Sequence, residues 1–215
     1  MGAASAGGAA GTFWSSELVL ANVSESASEV RLEIIPRDSA AVAAGTILTL
    51  AAGETRRLPD VYAALNAGQG AGTLRVTGDV LAWMRTFNQT SSGTFGMGVP
   101  SVTGATAFDP DGLVFFPVST PADVQKEFRS NLLLLNLETT TATFNVASGN
   151  VSKTQEVGPG TFVQIDRVGG WLGLPTGRAV LSVRSTGSWH GLVSTIDPAT
   201  GTRRACAGFG RRRGR

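Results

Sequence analysis

The chain has 215 residues, room for one large or two ordinary domains, and is 42% hydrophobic and 16% charged with 28 glycines. That composition excludes a disordered chain and leans towards strands and turns. The net charge of +2 arises at the C-terminus: residues 203–215 hold six Arg and no acid, and the remaining 12 basic residues face 16 acidic ones, so the overall basicity implies neither a basic face on the fold nor a nucleic-acid-binding domain.

Residues 1–11 are small-residue low complexity, without the basic start and Leu-rich run of a signal peptide, and read as a flexible leader. A first unit is expected over 12–102. Glu17–Asn22 is an apolar strand ending in Asn. Glu29–Ile35 alternates polar and apolar residues, the mark of a half-buried strand. Thr46–Leu50 is a further strand, stopped by Ala52-Gly53. Arg56–Leu58 leads into a short helical turn, Val61–Leu65. Thr73–Thr77 and Val80–Asn88 are strands, and Ser91-Ser92-Gly93 is a turn.

Residues 103–112 read as a connection, and a second unit is expected over 113–202. Leu113–Val118 is a strand ahead of the shared pattern. Strands are then expected over Leu132–Leu137, Ala142–Val146, Val151–Val157, Phe162–Ile165, Ala179–Arg184 and Trp189–Ile196, with a short helix at Val168–Leu172. Residues 203–215 form an Arg-rich tail. With one large apolar residue, Phe209, against six Arg, the tail is expected to stay outside any core.

The two halves share a pattern. Phe13–Asn22 aligns without a gap on Glu127–Asn136 when Asn22 is set on Asn136. Ala52–Thr55 aligns on Pro159–Phe162, and Arg85–Asn88 on Ser194–Asp197. Three anchors in one order indicate a folding unit used twice. Short strands with turns every 8–12 residues indicate antiparallel β-sandwiches. The expected fold is therefore all-β: two tandem antiparallel β-sandwich units related by an internal repeat.

Few motifs carry chemistry. The single histidine, His190, would need Asp197 and a serine for a triad, but no nucleophile-elbow motif frames a serine. One His and one Cys, Cys206, cannot close a zinc site, so no metal and no cofactor are expected. Asp109-Pro110-Asp111-Gly112 lacks the further ligands of a calcium loop and reads as turns. Gly68–Gly72 precedes a strand, so it is not a phosphate loop. The sharpest local signal is Arg85-Thr86-Phe87-Asn88 with Gly93-Thr94-Phe95-Gly96. Arg85 is expected to hold loop carbonyls and Asn88 to cap a turn. With Trp83 and Trp189 exposed on one face, Arg85 and Asn88 would instead make a ligand platform for an acidic group or a sugar.

Leu18–Asn22, Leu48–Arg56 and Arg85–Gly96 in the first unit, and Arg129–Asn136, Pro159–Ile165 and Ser194–Gly201 in the second, resemble repeat modules of secreted and surface-associated bacterial proteins. A single unit also resembles the β-sandwich of the sensory-rhodopsin-transducer type. The first resemblance implies an exported, non-catalytic structural or adhesive module, with a protein partner or self-association through sheet edges or loops. A carbohydrate-binding module attached to a hydrolase is the alternative. Contact with nucleic acid is expected only as non-specific binding by the Arg-rich tail, and no stretch has the length of a membrane span.

Overall fold

The computed structural model describes residues 2–7, 12–37, 39, 41–90, 93–99, 101–103, 106–124, 126–197, 203–207 and 209–210. The chain is all-β, with antiparallel pairing throughout, and divides into two compact units, 1–101 and 102–215.

The first unit runs β1 (Gly2–Gly7), β2 (Phe13–Ala21), β3 (Ser28–Pro36), β4 (Ala44–Leu50), β5 (Thr55–Leu58), α1 (Val61–Ala64), β6 (Gly70–Thr77), β7 (Leu81–Thr90) and β8 (Gly93–Val99). Its strands pair in the order β4-β3-β6-β1-β2-β7-β8, and β5 adds to β2. β1 first pairs β6, Gly2 with Thr73 to Ser5 with Gly70, and then turns to pair β2 through Ala6–Trp14 and Gly7–Phe13. A strand of Gly, Ala and Ser crosses such a corner because it brings no bulky side chain to it. Alternating residues of β2 and β3, Leu18 and Leu20 with Val30, Leu32 and Ile34, enter one apolar cluster, closed at the α1 turn by Val61, Tyr62 and Leu65.

The second unit runs β9 (Val114–Thr120), β10 (Arg129–Asn136), β11 (Ala142–Ser148), β12 (Val151–Val157), β13 (Phe162–Ile165), α2 (Val168–Leu172), β14 (Gly177–Ser185), β15 (Trp189–Ile196), β16 (Arg203–Ala207) and β17 (Phe209–Gly210). One sheet has the order β13-β10-β15-β16 and the other β12-β11-β14-β9-β17. Both bury one face in a single cluster, with Leu132, Leu134 and Trp189 from the first sheet and Phe116, Phe144 and Leu181 from the second.

Two expectations are overturned here. Residues 2–7 are not a leader but a strand within the ladder, because backbone pairing on β6 holds them without side-chain bulk. Of the Arg-rich tail, Arg203–Ala207 pairs along β15 and Phe209–Gly210 pairs on β9, and residues 208 and 211–215 lie outside the described residues. Ladder hydrogen bonding satisfies the backbone of such a segment whatever its side chains are. Arg56–Leu58, expected as a lead into the helical turn, belongs to strand β5. The Ser91-Ser92 part of the expected turn lies outside the described residues.

Candidate functional site

The polar groups that the fold buries mostly brace it. At the end of β2, Asn22 donates from Nδ2 to the carbonyls of Ser26 (2.8 Å), Leu50 (3.2 Å) and Ala51 (2.9 Å), and its Oδ1 accepts from the Ser24 amide. At the end of β10, Asn136 donates to the carbonyls of Thr140 (2.7 Å), Val157 (3.0 Å) and Gly158 (3.0 Å) and accepts from the Glu138 amide. Each asparagine thereby ties the loop that follows its strand to the turn that ends β4 or β12. Nearby, Gly53 and Gly160 take φ of 69° and 63°, the left-handed turn conformation that glycine adopts without strain.

A second pair crosses between strands. The Ala4 amide donates to Ser16 Oγ, which lies 2.9 Å from Thr86 Oγ1. The Ser119 amide donates to Ser130 Oγ, which lies 3.2 Å from Thr195 Oγ1. These serines were not expected as functional or structural polar residues. Their signal was present in the alignment of the halves, which sets Ser16 on Ser130 and Thr86 on Thr195.

The expected ligand residues separate. Trp189 is 0% exposed, packed against Phe108, Phe116 and Phe144 with ring centroids 4.9, 6.5 and 5.4 Å away. Asn88 is fully buried on the inward side of β7, opposite Trp14 and Phe95, and its amide has no hydrogen-bond partner among the described residues, so it caps no turn. Neither residue is available at a surface platform. Trp83 and Arg85 do share an outward face, because residues two apart on a strand point the same way. Trp83 is 51% exposed.

Among the described residues Arg85 holds no loop carbonyl. It donates from Nη2 to Glu17 Oε2 at 3.0 Å, while Arg57 Nη2 reaches the same oxygen at 2.9 Å. Glu17 is almost fully buried beneath the two guanidinium groups. The hydrogen bond from Arg57, and after it the hydrogen bond and charge of Arg85, outweigh burial and hold the Glu17 carboxyl below its ordinary pKa. Arg85 also lies over the Phe87 ring at 4.7 Å. Glu17 and Arg57 were missed at the sequence level. An acid inside the apolar run of β2 was the available signal.

The outward face of β5, β2, β7 and β8 therefore carries Trp83, Arg85 and Phe87 in a row along β7, with Arg57 and Glu17 beside it. Gly98 and Gly96 stand opposite Arg85 and Phe87 on β8. A methyl group at Gly98 would lie 3.9 Å from the Trp83 indole nitrogen, and one at Gly96 would collide with Thr86 O and Phe87 Cβ, both 2.5 Å away.

Elsewhere the sequence candidates resolve into packing. His190 stacks on Phe108, centroids 5.3 Å apart, and burial lowers its pKa. Asp197 follows seven residues later on the same extended path, roughly 23 Å at the rise of a strand, beyond hydrogen-bond reach. Asp111 takes φ of 58° and its amide donates to Ser185 O, which is turn geometry. Among the described residues no group of three or more His, Cys, Asp or Glu is placed to hold a metal ion, and no helix is long and apolar enough to cross a membrane.

These observations define an all-β protein of antiparallel sheets with one aromatic and cationic sheet face. Comparison of the chain with protein-family models, curated proteins and solved structures gave no match.

Proposed function

We propose that the chain is a tandem of two copies of one β-sandwich unit, acting as an exported or surface-associated structural or adhesive module that engages a protein partner or its own copies through sheet edges. The matching hydrogen bonds of Asn22 and Asn136, and of Ser16 and Ser130, support the repeat. The resemblance of the repeated motifs to modules of exported bacterial proteins supports the location. The observation that carries the reading is the chemistry of the edges. The outer strands β4 and β8 of the first unit are seven residues each and contain no charge and no proline. Soluble proteins usually block such edges with Lys, Pro or short strands, as β12 does with Lys153 and Glu156. An unblocked edge is a template for another strand.

Sedimentation velocity over a rising concentration series tests the self-association arm, and affinity capture with crosslink mapping tests the partner arm. The reading expects either a rising mass or crosslinks at 44–50 or 93–99. A constant monomer with no edge crosslinks, together with saturable binding to a glycan panel, replaces it with the carbohydrate-binding reading. Exposure of Trp83 beside Arg85 is the observation in favour of that alternative. Labelling of intact cells with a membrane-impermeant reagent tests the location.

A further inference from the structure

We propose that the β8 edge is the recognition strand of the first unit, and that it takes an extended peptide segment with an acidic residue flanked at alternate positions by apolar ones. This rests on the reading of the chain as an edge-docking module.

β8 ends its sheet, so one side of Gly93–Val99 presents ladder groups that pair with no strand among the described residues. An added strand would satisfy them, and main-chain pairing supplies the affinity in this mode of recognition. The fold already accepts short strands at an edge: Phe209–Gly210 adds to β9.

Specificity comes from the outward face. In β-augmentation, alternate side chains of the incoming strand fall on one face of the extended sheet. On this face β8 contributes Thr94, Gly96 and Gly98. The two glycines leave no side chains between an incoming strand and the row on β7. Trp83 stands by Gly98, and Phe87 by Gly96, with Arg85 between them. A partner's apolar side chains would meet Trp83 and Phe87, and the residue between them would meet Arg85.

Charge decides that central residue. Arg57 and Arg85 converge on one carboxylate oxygen, so the cluster retains one uncompensated positive charge. A carboxylate on the partner complements that charge, whereas a lysine would be repelled.

The corresponding positions of the second unit lack this chemistry. By the alignment of the halves, Trp83, Arg85 and Phe87 correspond to Leu192, Ser194 and Ile196, which are all buried. Glu17 corresponds to Asn131, which accepts a hydrogen bond from the Arg167 amide. The recognition set therefore belongs to the first unit alone.

The test uses the full chain and a heptapeptide of alternating Thr and Val with Glu at its centre. Amide exchange across 94–99 is followed by NMR during titration to 1 mM peptide. The proposal expects saturable binding with protection of β8 amides by at least about tenfold. Trp83→Ala should weaken binding by about five- to tenfold and Trp83→Phe should restore most of it. Replacing the central Glu of the peptide by Lys should lower affinity by about tenfold at low salt and by less at high salt. The half-exposed Trp83 makes its variants compatible with folding, which the exchange pattern of β2 and β3 verifies. Absence of binding at 1 mM overturns the proposal, as does binding without protection of β8, or binding indifferent to both Trp83→Ala and the Lys peptide. Failure here combined with crosslinks at β4 would remove only this inference. Failure together with a constant monomer and no edge crosslinks would remove the edge-docking reading as well.

Discussion

β1 and β9 occupy matching places in their units and are built from opposite materials. β1 is Gly-Ala-Ala-Ser-Ala-Gly, and β9 is Val-Phe-Phe-Pro-Val-Ser-Thr. Each pairs antiparallel with the strand after its unit's short helix, β6 or β14. Each sends one amide, Ala4 or Ser119, to a serine hydroxyl on the neighbouring ladder. Yet β9 buries Val114, Phe116 and Val118, whereas β1 buries one apolar side chain, Ala3. Backbone pairing and a cross-strand hydrogen bond thus suffice to define a strand's place, and side-chain volume then sets how much that place stabilises the unit.

The largest expected effect follows from that difference. Phe116→Ala should destabilise the second unit by about 3–5 kcal/mol, because it empties a site under Trp189 and Gly191. Ala3→Gly should cost the first unit only about 1 kcal/mol, chiefly through backbone entropy. Urea unfolding followed by unit-resolved amide exchange measures both. Equal losses would break the comparison.

The asparagines probe where the two units agree. Asn22→Ala and Asn136→Ala each remove the one side-chain nitrogen that three carbonyls now share. Each should cost about 2–4 kcal/mol, within about 1 kcal/mol of the other. Chemical denaturation of the two variants checks this, and a strongly unequal pair would argue against a common role.

Charge separates the units again, at a smaller scale. Glu17 has a depressed pKa in the folded protein, so its contribution is complete above the unfolded carboxylate range, near 4.5. It is lost as pH falls through the lower folded value. The pair with Arg57 is partly solvated, which limits the effect to less than about 1 kcal/mol. The corresponding Asn131 does not titrate. Exchange protection of β2 should therefore weaken from pH 5 to pH 3 more than that of β10, and Glu17→Gln should remove the excess. A Glu17→Gln protein with an unaltered pH profile would contradict the assignment.

The smallest effect concerns Tyr62, whose buried hydroxyl has no hydrogen-bond partner among the described residues; burial pushes its pKa up to about 12. Tyr62→Phe removes an unsatisfied polar group while keeping the ring, so stability should rise by up to about 1 kcal/mol. A thermal melt suffices, and a loss above about 1 kcal/mol would reveal a partner for the hydroxyl. The alignment of the halves sets Tyr62 on Gly169, where any Cβ would collide with Thr120 Oγ1. The two short helices thus fill their cores differently.

Much of the architecture could be read from local pattern. Alternation in Glu29–Ile35 located β3, and Val168–Leu172 matched α2, because half-buried strands and short turns leave period-two and apolar signatures. The alignment of Asn22 with Asn136 singled out two residues whose hydrogen bonds correspond. What remained hidden depends on partners distant in sequence. Nothing within Gly2–Gly7 distinguishes a strand from a linker, since its order comes from Gly70–Thr73 and Phe13–Trp14. Trp83 and Trp189 look alike in sequence, and only the packing of the sheets left one half-exposed and sealed the other beneath Phe144. Glu17, Arg57 and Arg85 lie up to 68 residues apart, and antiparallel registry brought them to one oxygen atom. Local sequence determined which segments extend and which turn, because those choices are made by steric and hydrophobic periodicity over a few residues. Tertiary structure alone decided which strands share an edge, which aromatic rings face water and which charges meet, because each depends on long-range registry.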